Sequence, residues 1–165
     1  MSQERADLIE TLQRHRGFLK HTTRDLTDEQ AALRPTVSQL CVGGLIKHVT
    51  VTERAWVAFA VGGADGMAEA NASAWTSWED GFRMVEGETL AGLLATYDEV
   101  AAETDKLVAT LDLDQAQELP KAPWFEPGKT WTVRRTLLHM IPETSQHAGH
   151  ADILRETIDG AKTMG

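Results

Sequence analysis

Apolar residues recur at every third or fourth position in four long stretches, at about 4–25, 38–60, 89–111 and 130–158, and a period of roughly 3.6 predicts four amphipathic helices. Gly62-Gly63 follows the second stretch and Gly160 the fourth, each a stop signal of the kind that ends helices. Thr27-Asp-Glu-Gln30 spells a capping box, since the Thr27 hydroxyl can accept from the amide three residues on while Gln30 reaches back. It predicts a short additional helix closed near Pro35. No run alternates with period two for long enough to demand a strand, although short pieces at 75–84 could pair weakly. The pattern predicts an all-α fold, a four-helix bundle. A chain of 165 residues buries one core comfortably and two poorly, so one domain over residues 1–165 is expected.

The connections are unequal. The second and third helices are separated by about 28 residues and the third and fourth by about 18, whereas loops longer than about 12–15 residues are uncommon in compact domains and tend to be functional. These two hold Trp75, Trp78, Phe82, Trp124 and Phe125. Such loops either cap one end of the bundle and wall a pocket there, or simply plug the core.

Composition narrows the function classes. Hydrophobic residues make up 42% and charged residues 25%, the balance of a globular protein. A net charge of −9 repels phosphate backbones and anionic leaflets unless a basic patch overrides it. The cations are scattered, as Arg14, Arg16, Lys20 and Arg24 early and Arg134, Arg135 and Arg155 late, so neither nucleic acid nor membrane is an expected partner. No stretch approaches the 18 or more apolar residues of a membrane span, and no apolar signal core follows the start. A cytoplasmic location is expected, and a lone Cys41 fits a reducing compartment. It also leaves any metal site to histidine and carboxylate.

Those residue types are arranged with helical spacing. On the second helix Cys41, Leu45, His48, Val49, Thr52, Trp56 and Phe59 share one face, with His48 in its middle. A lone histidine on an apolar face is more often a hydrogen-bonded core residue than a ligand. On the fourth segment His139, Glu143, His147 and His150 step by four, four and three, forming a polar stripe beside Leu137, Ile141, Ala148, Ala151 and Leu154. Ionisable groups at the edge of a core face are costly to bury unpaired, and a bound cation would resolve that cost. A carboxylate and an imidazole one turn apart can bind one metal, and a third ligand from a facing helix would leave a position open for water or substrate. The spacing is equally that of a solvated histidine face near a helix end. Pro142 inside this stretch is expected to kink or restart the helix.

The mid-helix Gly-Gly-Leu-Ile-Lys-His48 and the late segment Leu-Leu-His-Met-Ile-Pro-Glu143-Thr-Ser-Gln-His147-Ala-Gly-His150-Ala-Asp-Ile-Leu-Arg-Glu resemble the DinB-like superfamily, and the resemblance covers nearly the whole chain. It implies a four-helix bundle with one metal-binding histidine on the second helix and two ligands four residues apart on the last. His48 matches the first. Many members would place an imidazole at position 143, but this chain has glutamate; the branch that includes mycothiol-dependent maleylpyruvate isomerase uses a histidine, glutamate, histidine set. The resemblance thus implies His48, Glu143 and His147 as ligands. His150 stands where many members carry glutamine and is either an alternative ligand or a residue behind the ligands, as is His139. His15 and His21 match nothing in the pattern and are read as surface residues. Trp56, Trp131 and Arg134 are candidates for the pocket wall.

Members of known activity join a low-molecular-weight thiol such as mycothiol or bacillithiol to an electrophile. A divalent metal that binds a thiol sulfur lowers its pKa, so no enzyme cysteine is needed. The resemblance implies a metal-dependent thiol S-transferase with a small-molecule thiol and an electrophile as partners. Two further readings stand beside it: reversible thiol addition that isomerises a conjugated acid, and a stress-associated metal-binding protein without turnover. The longer isomerases carry a second domain that is not obvious here, which favours the transferase. Zinc suits two His and one Glu, although nickel, manganese and iron tolerate the same donors. A homodimer through helix faces is an expectation by analogy alone.

Overall fold

The structure is a computed structural model and describes residues 1–72, 74, 77 and 79–163. Its helices are α1 (Gln3–His21), α2 (Asp28–Ala32), α3 (Val42–Asn71), α4 (Leu90–Thr110) and α5 (Val133–Asp159). A 3-10 turn at Glu79–Phe82 precedes α4, and two three-residue strands, β1 (Ala116–Glu118) and β2 (Thr130–Thr132), lie between α4 and α5. The four long helices are the expected ones and the fold is the all-α bundle. Among the described residues no helix is long and apolar enough to cross a membrane.

Local signals set most of these ends. Ser2, Thr27, Thr89 and Thr132 each accept a hydrogen bond from an amide of the first turn they cap. The capping box is complete: the Gln30 amide donates to Thr27 Oγ1 (3.2 Å) and the Thr27 amide to Gln30 Oε1 (3.0 Å). Gly160, at φ 79°, ends α5 in the left-handed conformation that glycine adopts without penalty. The C-terminal carbonyls beyond α1 are met by a buried guanidinium: Arg155 Nη1 donates to the carbonyls of Thr22 and Arg24, and its Nε to Asp159.

Three expectations are corrected. The second long helix breaks at Gly63 (φ 66°, ψ −154°), where only glycine is unstrained, but the chain beyond Gly62-Gly63 is not a loop: a further helical stretch follows at once and runs to Asn71. The connection to α4 is correspondingly shorter. Strand pairing falls at 116–118 and 130–132, with Gln117 opposite Trp131, while 79–82 forms the 3-10 turn. Trp75 and Trp78 lie outside the described residues. Finally, α5 runs unbroken through Pro142. That proline is exposed, and Leu138, whose carbonyl loses its amide partner, is 49% exposed, so the gap falls on the solvent side of the helix.

α1 packs chiefly on α5, and α3 on both α4 and α5. The apolar core forms two clusters. One surrounds Leu19, Leu45, Ile46, Val49, Tyr97 and Leu154; the other surrounds Leu12, Ala60, Val108, Leu137 and Met140. In sequence, the residues between them are polar and buried: Arg16 on α1, Glu53 on α3, Thr104 on α4 and Thr144 on α5. Arg16 grips Glu53 with two nitrogens (2.6 and 3.0 Å) and reaches Asp105 (2.8 Å), while Thr104 Oγ1 donates to Glu53 (2.7 Å). Burial pulls the Arg16 pKa down, but the Glu53 and Asp105 carboxylates together outweigh it and the net shift is upward. Every charge in this layer is paired, as the cost of burying a charge requires.

Candidate metal centre

His48 lies in the second turn of α3, and the way that helix begins determines its surroundings. The Cys41 sulfur caps α3 by accepting from the Gly44 amide at 3.3 Å, and the thiol is buried. A Cβ on Gly44 would stand 2.0 Å from the carbonyl oxygen of Phe82, so only glycine lets the turn before α4 pass this close. The Phe82 ring then stacks on the His48 imidazole, with centroids 4.2 Å apart and planes 22° from parallel. His48 is 7% exposed and Thr52 Oγ1 lies 3.4 Å from its Nε2.

α5 supplies the facing groups. Glu143 and His147 stand one turn apart, with Glu143 Oε1 3.2 Å from His147 Nε2 and 3.6 Å from His48 Nε2. One atom from each of the three residues lies within 4.8 Å of the others. Hydrogen bonding from His147, then from His48, holds the Glu143 carboxyl far below the usual carboxylate range, against the opposing effect of burial. Glu143 is therefore an anion across the physiological range.

These residues fit a divalent ion. Donors each roughly 2.1 Å from a tetrahedral centre stand roughly 3.4 Å from one another, the scale of both Glu143 separations. Two imidazoles and a carboxylate are borderline donors suited to zinc and its neighbours in the first transition row. The three sit at the bundle's edge: Glu143 and His147 keep 25% and 13% of their side-chain surface exposed. His48 also lines a cavity of about 680 Å³ that runs along α3 from His48 to Asn71 and is closed by residues 120–125 of the loop before β2. The arrangement thus holds three donors with an opening beside them.

The other expected residues fall at varied distances from this point. His150 is exposed, its Nδ1 3.4 Å from His147 Nδ1, so it backs the ring whose opposite nitrogen faces Glu143. His139 packs edge-on to Trp56 (centroids 4.7 Å) and beside Trp131 (5.0 Å). Burial pushes its pKa down, the Glu143 charge opposes that, and Arg135 adds to the depression, so the neutral ring is favoured. Trp56 lines the cavity and stacks on Trp131, centroids 5.1 Å apart; Trp131 in turn carries the Arg135 guanidinium 4.1 Å from its ring centre. Trp131 thus supports the wall from behind. Arg134 is elsewhere: it pairs with Glu4 and Asp114, tying the start of α5 to that of α1. It is not among the residues that line the cavity. His21 is exposed, while His15 is half-buried against the edge of Phe18.

Sequence reasoning missed Met67, Asn71 and Lys121, all of which line the cavity. The first two lie beyond the glycine pair at which the helix was expected to end. The loop that carries Lys121 also holds Pro120, Pro123 and Pro127, and a proline-rich segment with two adjacent aromatics was the one available signal.

No curated protein sequence matches the chain significantly. The fold is similar to the crystal structure of a conserved protein from Enterococcus faecalis, with a TM-score of 0.71 over 98% of this chain and 99% of that one. At 18% identity that likeness concerns the fold. A sequence model described as mycothiol-S-transferase matches residues 7–160. That span takes in α3, α4 and α5, most of α1 and the His48, Glu143 and His147 cluster, and the chain belongs to the mycothiol-S-transferase family, within the DinB-like superfamily that its last helix resembles.

Proposed function

We propose that the chain is a single-domain, zinc-dependent thiol S-transferase, with His48, Glu143 and His147 as the metal ligands and mycothiol or a similar low-molecular-weight thiol as the nucleophile. The observation that carries this reading is the convergence of His48 Nε2, His147 Nε2 and one Glu143 oxygen beside an open cavity. Family membership supports the choice of thiol and of group transfer over isomerisation. A divalent ion at these donors would lower the pKa of a thiol bound to it and so supply a thiolate at neutral pH.

The chain's own residues prepare that chemistry. Glu143 is already ionised, so it offers a charged donor without first releasing a proton. Phe82 covers one face of His48 and keeps water from it, while His150 stands behind His147 and can hold its outer nitrogen in one tautomer. Trp56 and Phe125 wall the space where an electrophile would meet the sulfur. Cys41, used as a helix cap, takes no part. The reaction belongs in the cytoplasm, where small thiols are kept reduced.

The test is thiol consumption. The zinc-loaded protein and mycothiol, with either a panel of aryl halides or a conjugated acid, are followed by mass spectrometry for product and by titration of remaining thiol. Thioether formed in equal amount to thiol lost supports transfer; turnover of a conjugated acid with no net loss of thiol would replace it with isomerisation.

A further inference from the structure

We infer that the cavity beside the metal centre receives the electrophile, and that this partner is a flat, apolar molecule carrying an anionic group that lies against Lys121. The inference rests on the transferase reading for the name electrophile, but the binding site itself stands on the cavity alone.

The lining sets the class. Val51, Trp56, Met67, Trp124 and Phe125 are the large apolar residues of the lining, and two tryptophans and a phenylalanine around one space favour a planar, aromatic occupant. A volume of about 680 Å³ falls within the usual range of small-molecule sites, roughly 300–1,000 Å³. His48 in the same wall brings the occupant up to the three donors. Met67 adds a flexible side chain that adjusts to rings of different outline.

Charge narrows it further. The chain has 25 acidic against 16 basic residues, yet among the described residues the cavity is lined by no acid, and Lys121 is the one Lys or Arg in that lining. Lys121 is exposed and makes no ion pair among the described residues. A cation would find no counter-charge in this lining; a carboxylate at the rim would find one. The polyhydroxylated part of mycothiol is a poor occupant, because the side-chain hydrogen-bonding groups of the lining, apart from His48 and Lys121, are those of Thr52, Asn71 and the Trp56 and Trp124 indoles. The thiol therefore approaches from another side.

In the reaction this implies for an aryl chloride, the thiol sulfur bonds to the ring carbon, the carbon–chlorine bond breaks, chloride leaves with its electron pair and the thiol proton passes to solvent.

The experiment is calorimetric titration of the full, metal-free chain, without thiol, using 3,5-dinitrobenzoate, its neutral counterpart 1,3-dinitrobenzene, and inositol. The benzoate should bind roughly threefold to fivefold more tightly than the neutral compound, as an exposed ion pair allows, and Lys121→Met should abolish that preference. Trp124→Ser should weaken both ligands by roughly twofold to tenfold, the range of an aromatic contact. Both positions are exposed, with Trp124 at 77%, so the fold is expected to tolerate either change. Equal affinity for the two aromatic ligands, no effect of Lys121→Met, no binding of either, or binding of inositol instead would overturn the inference. Because neither metal nor thiol is present, failure of the transferase reading leaves this result standing, and the reverse.

Discussion

The carbonyl oxygen of Phe82 occupies the space a side chain on Gly44 would need: a Cβ there would lie 2.0 Å from it. One turn further along α3 the Phe82 ring covers His48. Gly44→Ala must therefore push the 79–84 segment away and uncover a candidate ligand. Overpacking of this kind costs about 1–3 kcal/mol, which urea unfolding would register, and metal affinity should fall with it.

Gly149 provides the contrast. An added Cβ there meets nothing within 4 Å, and the residue is in the interior of α5. Gly149→Ala should stabilise the chain by about 0.5–1 kcal/mol through helix propensity, with metal content unchanged. Loss of stability would mean that the surface of α5 is covered.

The buried pair between Arg16 and Glu53 predicts a different asymmetry. Removing one partner, as in Glu53→Leu or Arg16→Met alone, breaks the buried pair and should cost about 3–5 kcal/mol, whereas the double change Arg16→Met with Glu53→Leu should recover most of that loss. Denaturation midpoints of the two singles and the double form the cycle that checks this.

Glu143 ties stability to pH. Its carboxyl is held below the ordinary value of 4.5, so its contribution is complete above that value in the metal-free protein and is lost as pH falls towards the folded pKa. Metal-free wild type should therefore destabilise more steeply below pH 4.5 than Glu143→Gln, which has no proton to take up there. Parallel acid curves for the two proteins would contradict the geometry around Oε1.

Much of this was legible in the sequence because helices declare themselves locally. The 3.6-residue period, the Thr27 to Gln30 box and the four-residue step from Glu143 to His147 are all contained within a few turns. What was lost depends on tertiary context. Gly62-Gly63 reads as a stop and Gly63 does break the helix with its positive φ, yet a second helical stretch follows at once, with Gln117 of β1 packed beside the break. Strands of three residues are too short to show a period of two. Arg134 and Arg135 are adjacent in sequence, but only the path of α5 turns one to Glu4 and Asp114 and the other onto Trp131. Phe82 was visible as a loop aromatic, and nothing in the sequence says that it covers His48.

Whether His48, Glu143 and His147 hold a metal is read from metal per chain, measured by elemental analysis on protein purified without an affinity tag. Near-stoichiometric zinc is expected in wild type and loss of it in His48→Ala and Glu143→Ala, while His150→Ala retains stoichiometry at high zinc with affinity lowered about 10–100-fold, as for a residue that backs a ligand. A wild-type chain that stays free of metal when zinc is supplied, or one that loses it with His150→Ala but keeps it with Glu143→Ala, would contradict the assignment.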